Sequence, residues 1–184
     1  MNAWIGPILI QFGYPLRLIQ RREVSPEKLL LLRRDGWTQR VLAYPQPDEV
    51  GIHLKRLHDL LCQGHWIQHV ADYADRGTGL RGLYLGRQVR CGRVPWVLGR
   101  LTGAPLVPVL VLVDERMRAR MHIGTPIILG ETPSGNGALE AAFQTYLRFL
   151  ESHIREVPWN LSPSHLRQIC FADCGGPGSF VRSP

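Results

Sequence analysis

Seven histidines, 15 acidic residues, four cysteines and 22 basic residues, 20 of them arginine, are the chain's groups able to move protons, hold metals or bind anions. Spacing alone decides several arrangements. His69 and Asp72 lie three apart on an expected strand, where residues at that offset point to opposite faces, so they form no acid–base dyad. His65 and His69 share a strand face but lack a third ligand, and His165, Cys170 and Cys174 match no strong zinc-ligand spacing. Arginine carries the clearer signal. Residues 76–120 hold nine arginines and two acids, an excess equal to the whole net charge of +7, while the rest of the chain holds 13 basic and 13 acidic residues. The planar fork of a guanidinium suits two-pronged recognition of phosphate or carboxylate, which a lysine ammonium cannot match. Codon bias is the alternative account of arginine usage over lysine, but it does not explain the clustering.

These groups sit in a chain of 184 residues, 45% hydrophobic and 20% charged. That is one domain's worth, enough for a core that removes roughly 70% of the unfolded surface from water. Composition excludes a disordered tail and a disulfide-stapled miniature. The longest apolar run, Ala104 to Val113, is about half the ~20 residues of a membrane-spanning helix, and no basic residue precedes the apolar start. Cys62, Cys91, Cys170 and Cys174 show no C-x-x-C pairing and fit a reducing compartment, with the cytoplasm as the expected location.

Helical and strand periods alternate along the chain, which predicts an α/β domain over residues 1–161 followed by a poorly ordered tail, 162–184. Ala3 to Phe12 reads as a helix already under way. Leu16 to Arg21 reads as a strand, Ser25-Pro26-Glu27 as a capped helix start, and Trp37 to Tyr44 as the next strand. Asp48 caps a helix with the stripe Val50, Leu54, Leu57 and Leu61, ended by Gly64, and Trp66 to Asp72 follows as a strand. Arg76 to Arg93, with five glycines, reads as loop with one short strand at Gly82 to Leu85. Val94 to Leu101 is helical with Pro95 in its first turn and Gly103 at its end. Leu106 to Val113, nearly all Val and Leu, reads as a parallel strand buried on both faces, and Arg118 to Ile123 pairs back onto it. Ala138 to Val157 carries the stripe Leu139, Phe143, Tyr146, Leu147, Leu150 and Ile154, and Pro158 stops it.

From Trp96 to Leu110 the chain reads WVLGRLTGAPLVPVL, a small-residue turn between a helix and a buried strand. This stretch resembles the fourth sequence block of the bacterial late lipid A acyltransferases, the lauroyl and myristoyl transferases of the lysophospholipid acyltransferase superfamily. Other blocks follow in the same order. Arg21 and Pro26, in LRLIQRREVSP, resemble the second block, and Asp72, in HVADYADRG, falls on the acid of the third. Pro158 and His165 keep the spacing of the terminal segment, although Leu166 stands where that family has an arginine and Pro163 where it has an aromatic residue.

The resemblance implies a mostly parallel sheet flanked by helices, glycerol-phosphate-acyltransferase-like, truncated at its N-terminus. It implies transfer of a fatty acyl group from a thioester of acyl carrier protein or coenzyme A, with no bound cofactor, to a hydroxyl of a glycolipid or phospholipid in lipopolysaccharide synthesis. The family's first block, His, four residues, then Asp or Glu, supplies the base. No histidine here has an acid five residues on, so that block and its strand are expected to lie before Met1. Arg21 and Asp72 end strands, where open α/β sheets bind ligands. Arg21 is the candidate for a phosphate, against a surface ion pair with Glu23 or Asp48, and Asp72 is a supporting catalytic candidate, against a loop cap. Arg76, Arg81, Arg87 and Arg90 make a basic rim for anionic lipid or acyl carrier protein, with His165 as a further substrate-binding candidate. The expected place is peripheral, at the cytoplasmic face of the inner membrane. The alternatives are a non-catalytic module binding anionic lipid or acyl carrier protein and, last, a nucleic-acid binder, which the shortage of aromatic residues among the arginines disfavours.

Overall fold

The computed structural model describes residues 9–10, 13–20, 40–43, 50–69, 79–129 and 136–160, and shows a mixed α/β chain. Its elements are β1 (Leu16–Gln20), β2 (Val41–Ala43), α1 (Val50–Cys62), β3 (Trp66–Gln68), β4 (Leu80–Tyr84), β5 (Arg87–Cys91), α2 (Val94–Thr102), β6 (Val109–Val113), β7 (Ala119–Ile123) and α3 (Asn136–Ile154), followed by a short 3-10 turn, Pro158–Asn160. β1 is the centre of a parallel sheet in the order β2-β1-β3, with Leu18 facing Val41 and Leu16 facing Trp66. β4–β5 and β6–β7 are antiparallel hairpins. No helix of the described residues is long and apolar enough to cross a membrane.

The stripe on α3 does what its spacing predicts. Leu139, Phe143, Leu147, Leu150 and Ile154 are buried, and with Leu80, Tyr84, Val89, Leu110 and Leu112 they form the larger core. At roughly 1.5–3 kcal/mol for each large apolar side chain taken out of water, this stripe is the main reason the helix forms where it does. A smaller core joins Leu42, Leu57 and Leu98, with Ile67 and Val94 packed against it. α2 belongs to both cores. Its Leu98 enters the smaller one, while Trp96 packs edge-on against Phe143 and Tyr146, ring centres 5.6 and 5.9 Å away.

Two expectations are corrected. The glycine-rich stretch holds more than the one short strand expected at Gly82 to Leu85, which overlaps β4: from residue 80 onward β4 and β5, five residues each, form a hairpin through Leu85 and Gly86, whose φ of 50° and 77° give the left-handed pair that suits the twist of two-residue hairpins. The run before Val113 is not seen as a parallel strand. β6 pairs antiparallel with β7, while Leu106 makes an isolated antiparallel bridge to Ile127. In β6 Leu110 and Leu112 are buried, whereas Val109, Val111 and Val113 are half-buried, so only one face is fully covered. The expected turn glycines hold, with Gly64 at φ 79° after α1 and Gly103 at φ 69° after α2. The helix expected at Ser25-Pro26-Glu27 and the tail lie outside the described residues, as does the helix at Ala3 to Phe12 except for Leu9 and Ile10, which are helical.

Side-chain amides close two strand edges. Gln144 on α3 accepts the N–H of Leu83 at 2.7 Å and donates to its carbonyl at 2.8 Å, and the Glu151 carboxylate accepts the next outward N–H, of Leu85. Asn160 does the same to Val113, accepting and donating at 2.8 Å. Each clamp imitates a neighbouring strand and satisfies backbone groups that an edge leaves over.

Candidate functional site

The β4–β5 hairpin is the part of the arginine cluster that the structure describes best. Its inner face, Leu80, Tyr84, Val89 and Cys91, is buried beneath α3. At Gly82 the helix sits directly on the strand, and a Cβ there would lie 2.5 Å from Leu147 Cδ1 and 3.0 Å from the Phe143 ring. Only glycine permits that approach. Burial pushes the Tyr84 hydroxyl up to about 12, helped by the Glu151 carboxylate, so the phenol stays protonated.

Strand alternation then sends the intervening residues outward. Arg81 faces Arg90 directly across the hairpin, and exposed Leu83 faces Gln88. Side chains directly opposite on one face have Cβ atoms about 5 Å apart, and like charges so placed are unfavourable. Arg87 faces Tyr84 instead, at the turn end and on the other alternation of the strand, and is exposed. The structure therefore brings Arg81 and Arg90 together and sets Arg87 apart. Arg21, Asp72, Arg76 and His165 lie outside the described residues.

The other described arginine group is built around one carboxylate. Asp114, at the β6–β7 turn, accepts the backbone N–H groups of Arg116 and Arg118 at 2.9 Å and binds the Arg118 side chain at 2.8 Å and that of Arg120 at 3.5 Å. The Arg118 N–H is the leading cause that holds this carboxyl below its ordinary range, with its burial opposing. No acid stands between Arg76 and Arg100 in the sequence, so the β4–β5 hairpin has no such residue of its own.

The turn Thr102-Gly103-Ala104 that carries the family resemblance is tightly built. Thr102 Oγ1 donates to the Leu98 carbonyl at 2.8 Å and accepts the Ala104 N–H at 3.2 Å, while Gly103 reverses the chain. Downstream, Pro108 is buried, and a Cβ on Gly124 would meet it at 3.1 Å and the Phe149 ring at 2.9 Å. Trp96 is buried in the core.

Two further titratable groupings appear in the structure, one with local i,i+4 spacing on α1 and one without any local signal. On α1, Asp59 takes Lys55 Nζ at 2.8 Å and His58 Nδ1 at 3.3 Å, and Cys62 Sγ lies 3.9 Å from each His58 ring nitrogen, a solvated helix face. His122 of β7 and His153 of α3 meet with ring centres 4.6 Å apart. The His153 Nδ1–H donates to the Phe149 carbonyl at 2.8 Å. Among the described residues no group of three or more His, Cys, Asp or Glu is placed to hold a metal.

Burial is the first cause that holds the His122 imidazole below its ordinary 6.5, and the charges of His153 and Arg120 add to it against the opposing pull of Glu156. A base depressed in the folded state binds fewer protons there than when unfolded, so its contribution to stability is complete above about pH 6.5 and is lost as pH falls below it. Urea midpoints should therefore decline from neutral to mildly acidic pH, and His122→Gln should flatten part of that decline. Parallel pH profiles for parent and variant would remove His122 as a source of it.

Scanned against protein-family models and compared with curated proteins, the chain matches none of them.

Proposed function

We propose that this chain is an acyltransferase-like domain of the late lipid A type, glycerol-phosphate-acyltransferase-like in fold, and that these 184 residues are catalytically incomplete. The observation that carries the reading is the Trp96–Leu110 stretch, WVLGRLTGAPLVPVL, in which α2 ends at a left-handed Gly103 ahead of β6. The reaction would join an acceptor hydroxyl oxygen to the thioester carbonyl carbon, with the hydroxyl proton passing to a base and the thiol leaving. A hydroxyl needs such a base because its own pKa is far above neutrality. The chain offers no His-x4-acid pair to serve as that base. In this reading Arg21 holds a phosphate of the acceptor or of phosphopantetheine, Asp72 orients the acceptor, and Arg76, Arg81, Arg87, Arg90 and His165 contact the glycolipid or acyl carrier protein. The work is done at the cytoplasmic face of the bacterial inner membrane.

A second reading, a binding module for anionic lipid or acyl carrier protein without chemistry, is favoured by the opposed Arg81 and Arg90. The test is acyl transfer by the purified chain, offered acyl carrier protein and coenzyme A thioesters with hydroxyl-bearing lipid acceptors. We expect none above background, since loss of a general base alone costs about 10² to 10⁴-fold and loss of positioning adds to that. Robust turnover that His69→Ala abolishes would overturn the incomplete reading. Reading the coding DNA upstream of Met1 separates enzyme from module: an in-frame strand ending in His-x4-Asp or His-x4-Glu supports the first.

A further inference from the structure

Lys55, His58, Asp59 and Cys62 follow one another on α1 at offsets of three and four, so they share one face of the helix. Asp59 Oδ1 accepts the Nδ1–H of His58 at 3.3 Å, and Lys55 Nζ donates to Asp59 Oδ2 at 2.8 Å. Cys62 Sγ lies 3.9 Å from each ring nitrogen of His58. A thiol, an imidazole and a carboxylate thus stand in series, and all three are open to water. Cys62 is exposed, and the His58 and Asp59 side chains keep 42% and 45% of their surface. Cys91, by contrast, is 1% exposed in the larger core.

Thiols attack disulfides as thiolates, so the proton must leave the sulfur as the new bond forms. His58 is placed to take it. With its Nδ1–H held by Asp59, the neutral imidazole presents Nε2 as an acceptor, and the carboxylate then stabilises the cation that forms. Asp59 is fixed for this part. Hydrogen bonding to Lys55 first, and to His58 next, holds its carboxyl below the ordinary range, so it stays ionised at neutral pH. Cys62 is the last residue of α1, and the negative end of a helix favours a cation while it works against a bare thiolate. Passing the proton within the pair meets both conditions. The 3.9 Å separation is the loose geometry that acid–base pairs show before a reactant binds.

We propose that Cys62 is a site of reversible modification by low-molecular-weight disulfides, with His58 as the base and Asp59 as the residue that positions it. Cys62 Sγ attacks one sulfur of R–S–S–R. A new S–S bond forms to that sulfur, the original S–S bond breaks, and its electron pair departs on the second sulfur. The thiol proton passes to His58 and on to the departing thiolate, which leaves as RSH. The incoming disulfide is the oxidant, and a small thiol reverses the step. The imidazole and carboxylate set Cys62 apart from an ordinary exposed cysteine, and its exposure sets it apart from Cys91. This inference is independent of the acyltransferase reading.

The experiment exposes the full chain to glutathione disulfide and follows adducts by peptide-resolved mass spectrometry. Cys170→Ser and Cys174→Ser leave Cys62 and Cys91 as its thiols. The expected result is an adduct at Cys62 that dithiothreitol removes, while Cys91 stays unmodified in the folded protein. His58→Gln on this background should slow the reaction on the order of tenfold, less than the roughly 10² to 10⁴ of an enclosed base because this pair is solvated. Glutathione disulfide is anionic, so the comparison is repeated with the neutral hydroxyethyl disulfide, where the same ratio is expected. A ratio that vanishes there overturns the proposal, because His58 then acts by charge alone. If His58→Gln fails to fold by circular dichroism, Asp59→Asn takes its place and should slow both reagents severalfold. Absence of a Cys62 adduct, or equal rates in parent and variant, also overturns the proposal.

Discussion

Replacing Arg76, Arg81, Arg87 and Arg90 together by Gln should weaken binding to anionic vesicles by about a hundred- to a thousand-fold at low salt. Near an anionic surface each cation contributes on the order of 1 kcal/mol, and every ~1.4 kcal/mol is tenfold in affinity. Two features of the hairpin set this estimate. Arg81 and Arg90 stand directly opposite in the register of the hairpin, so both are placed to meet one surface. The Asp114 group, by contrast, leaves Arg118 and Arg120 largely spent on a local carboxylate. The loss should shrink at high salt, where the Debye length falls to a few ångströms. Because Arg87 lies on the other alternation, Arg81→Gln and Arg90→Gln should each cost more than Arg87→Gln. Nucleic acid shares the salt response, so both ligands must be compared at one ionic strength. Tight duplex or single-strand binding by the parent, with no vesicle association, would sink the lipid reading and promote the nucleic-acid one.

The arginine cluster was legible in the sequence, but its geometry was not. Composition shows that the excess charge lies in one segment; it takes the register of β4 on β5 to put Arg81 opposite Arg90. That register was hidden by glycines. Gly82 reads in one dimension as the start of a short strand, but nothing local marks it as the seat for α3, and Leu85 occupies a left-handed turn position that its side chain gives no hint of. The alternation of Leu80 and Tyr84 with Val89 and Cys91 was the available signal. Where the stripe is long and regular, as on α3, sequence and structure agree, because helical burial needs only local spacing. On β6 the pairing with Arg118 to Ile123 was legible, because a short turn returns the chain antiparallel, whereas the expected burial on both faces was not met: a Val/Leu run does not say what covers its second face. The His122–His153 contact has no sequence signal at all, since it exists only after β7 and α3 dock.

Gly82→Val should be among the most damaging single substitutions in the chain. A Cβ at 2.5 Å from Leu147 Cδ1 and 3.0 Å from the Phe143 ring is well inside contact, and both neighbours are core residues, 4% and 2% exposed. Leu147 can turn only into space that other buried side chains already fill. Overpacking of this kind costs about 1–3 kcal/mol, and a β-branched residue against a helix face belongs at the top of that range. Relief by lifting α3 off the strand would also pull Gln144 and Glu151 from the edge of β4, adding the cost of exposed or unpaired backbone groups. The sum is about 3–4 kcal/mol, or a fall in melting temperature of roughly 6–16 °C for a domain of this size. Gly92→Ala is the control, since a Cβ there meets nothing within 4 Å, and it should melt within a degree or two of the parent. The same seat holds the hairpin that presents Arg81 and Arg90, so Gly82→Val should lower melting temperature and vesicle binding together, whereas Arg81→Gln should lower binding alone. Equal melting of Gly82→Val and parent would show that α3 does not rest on this strand, and the pairing of the two arginines would lose its support.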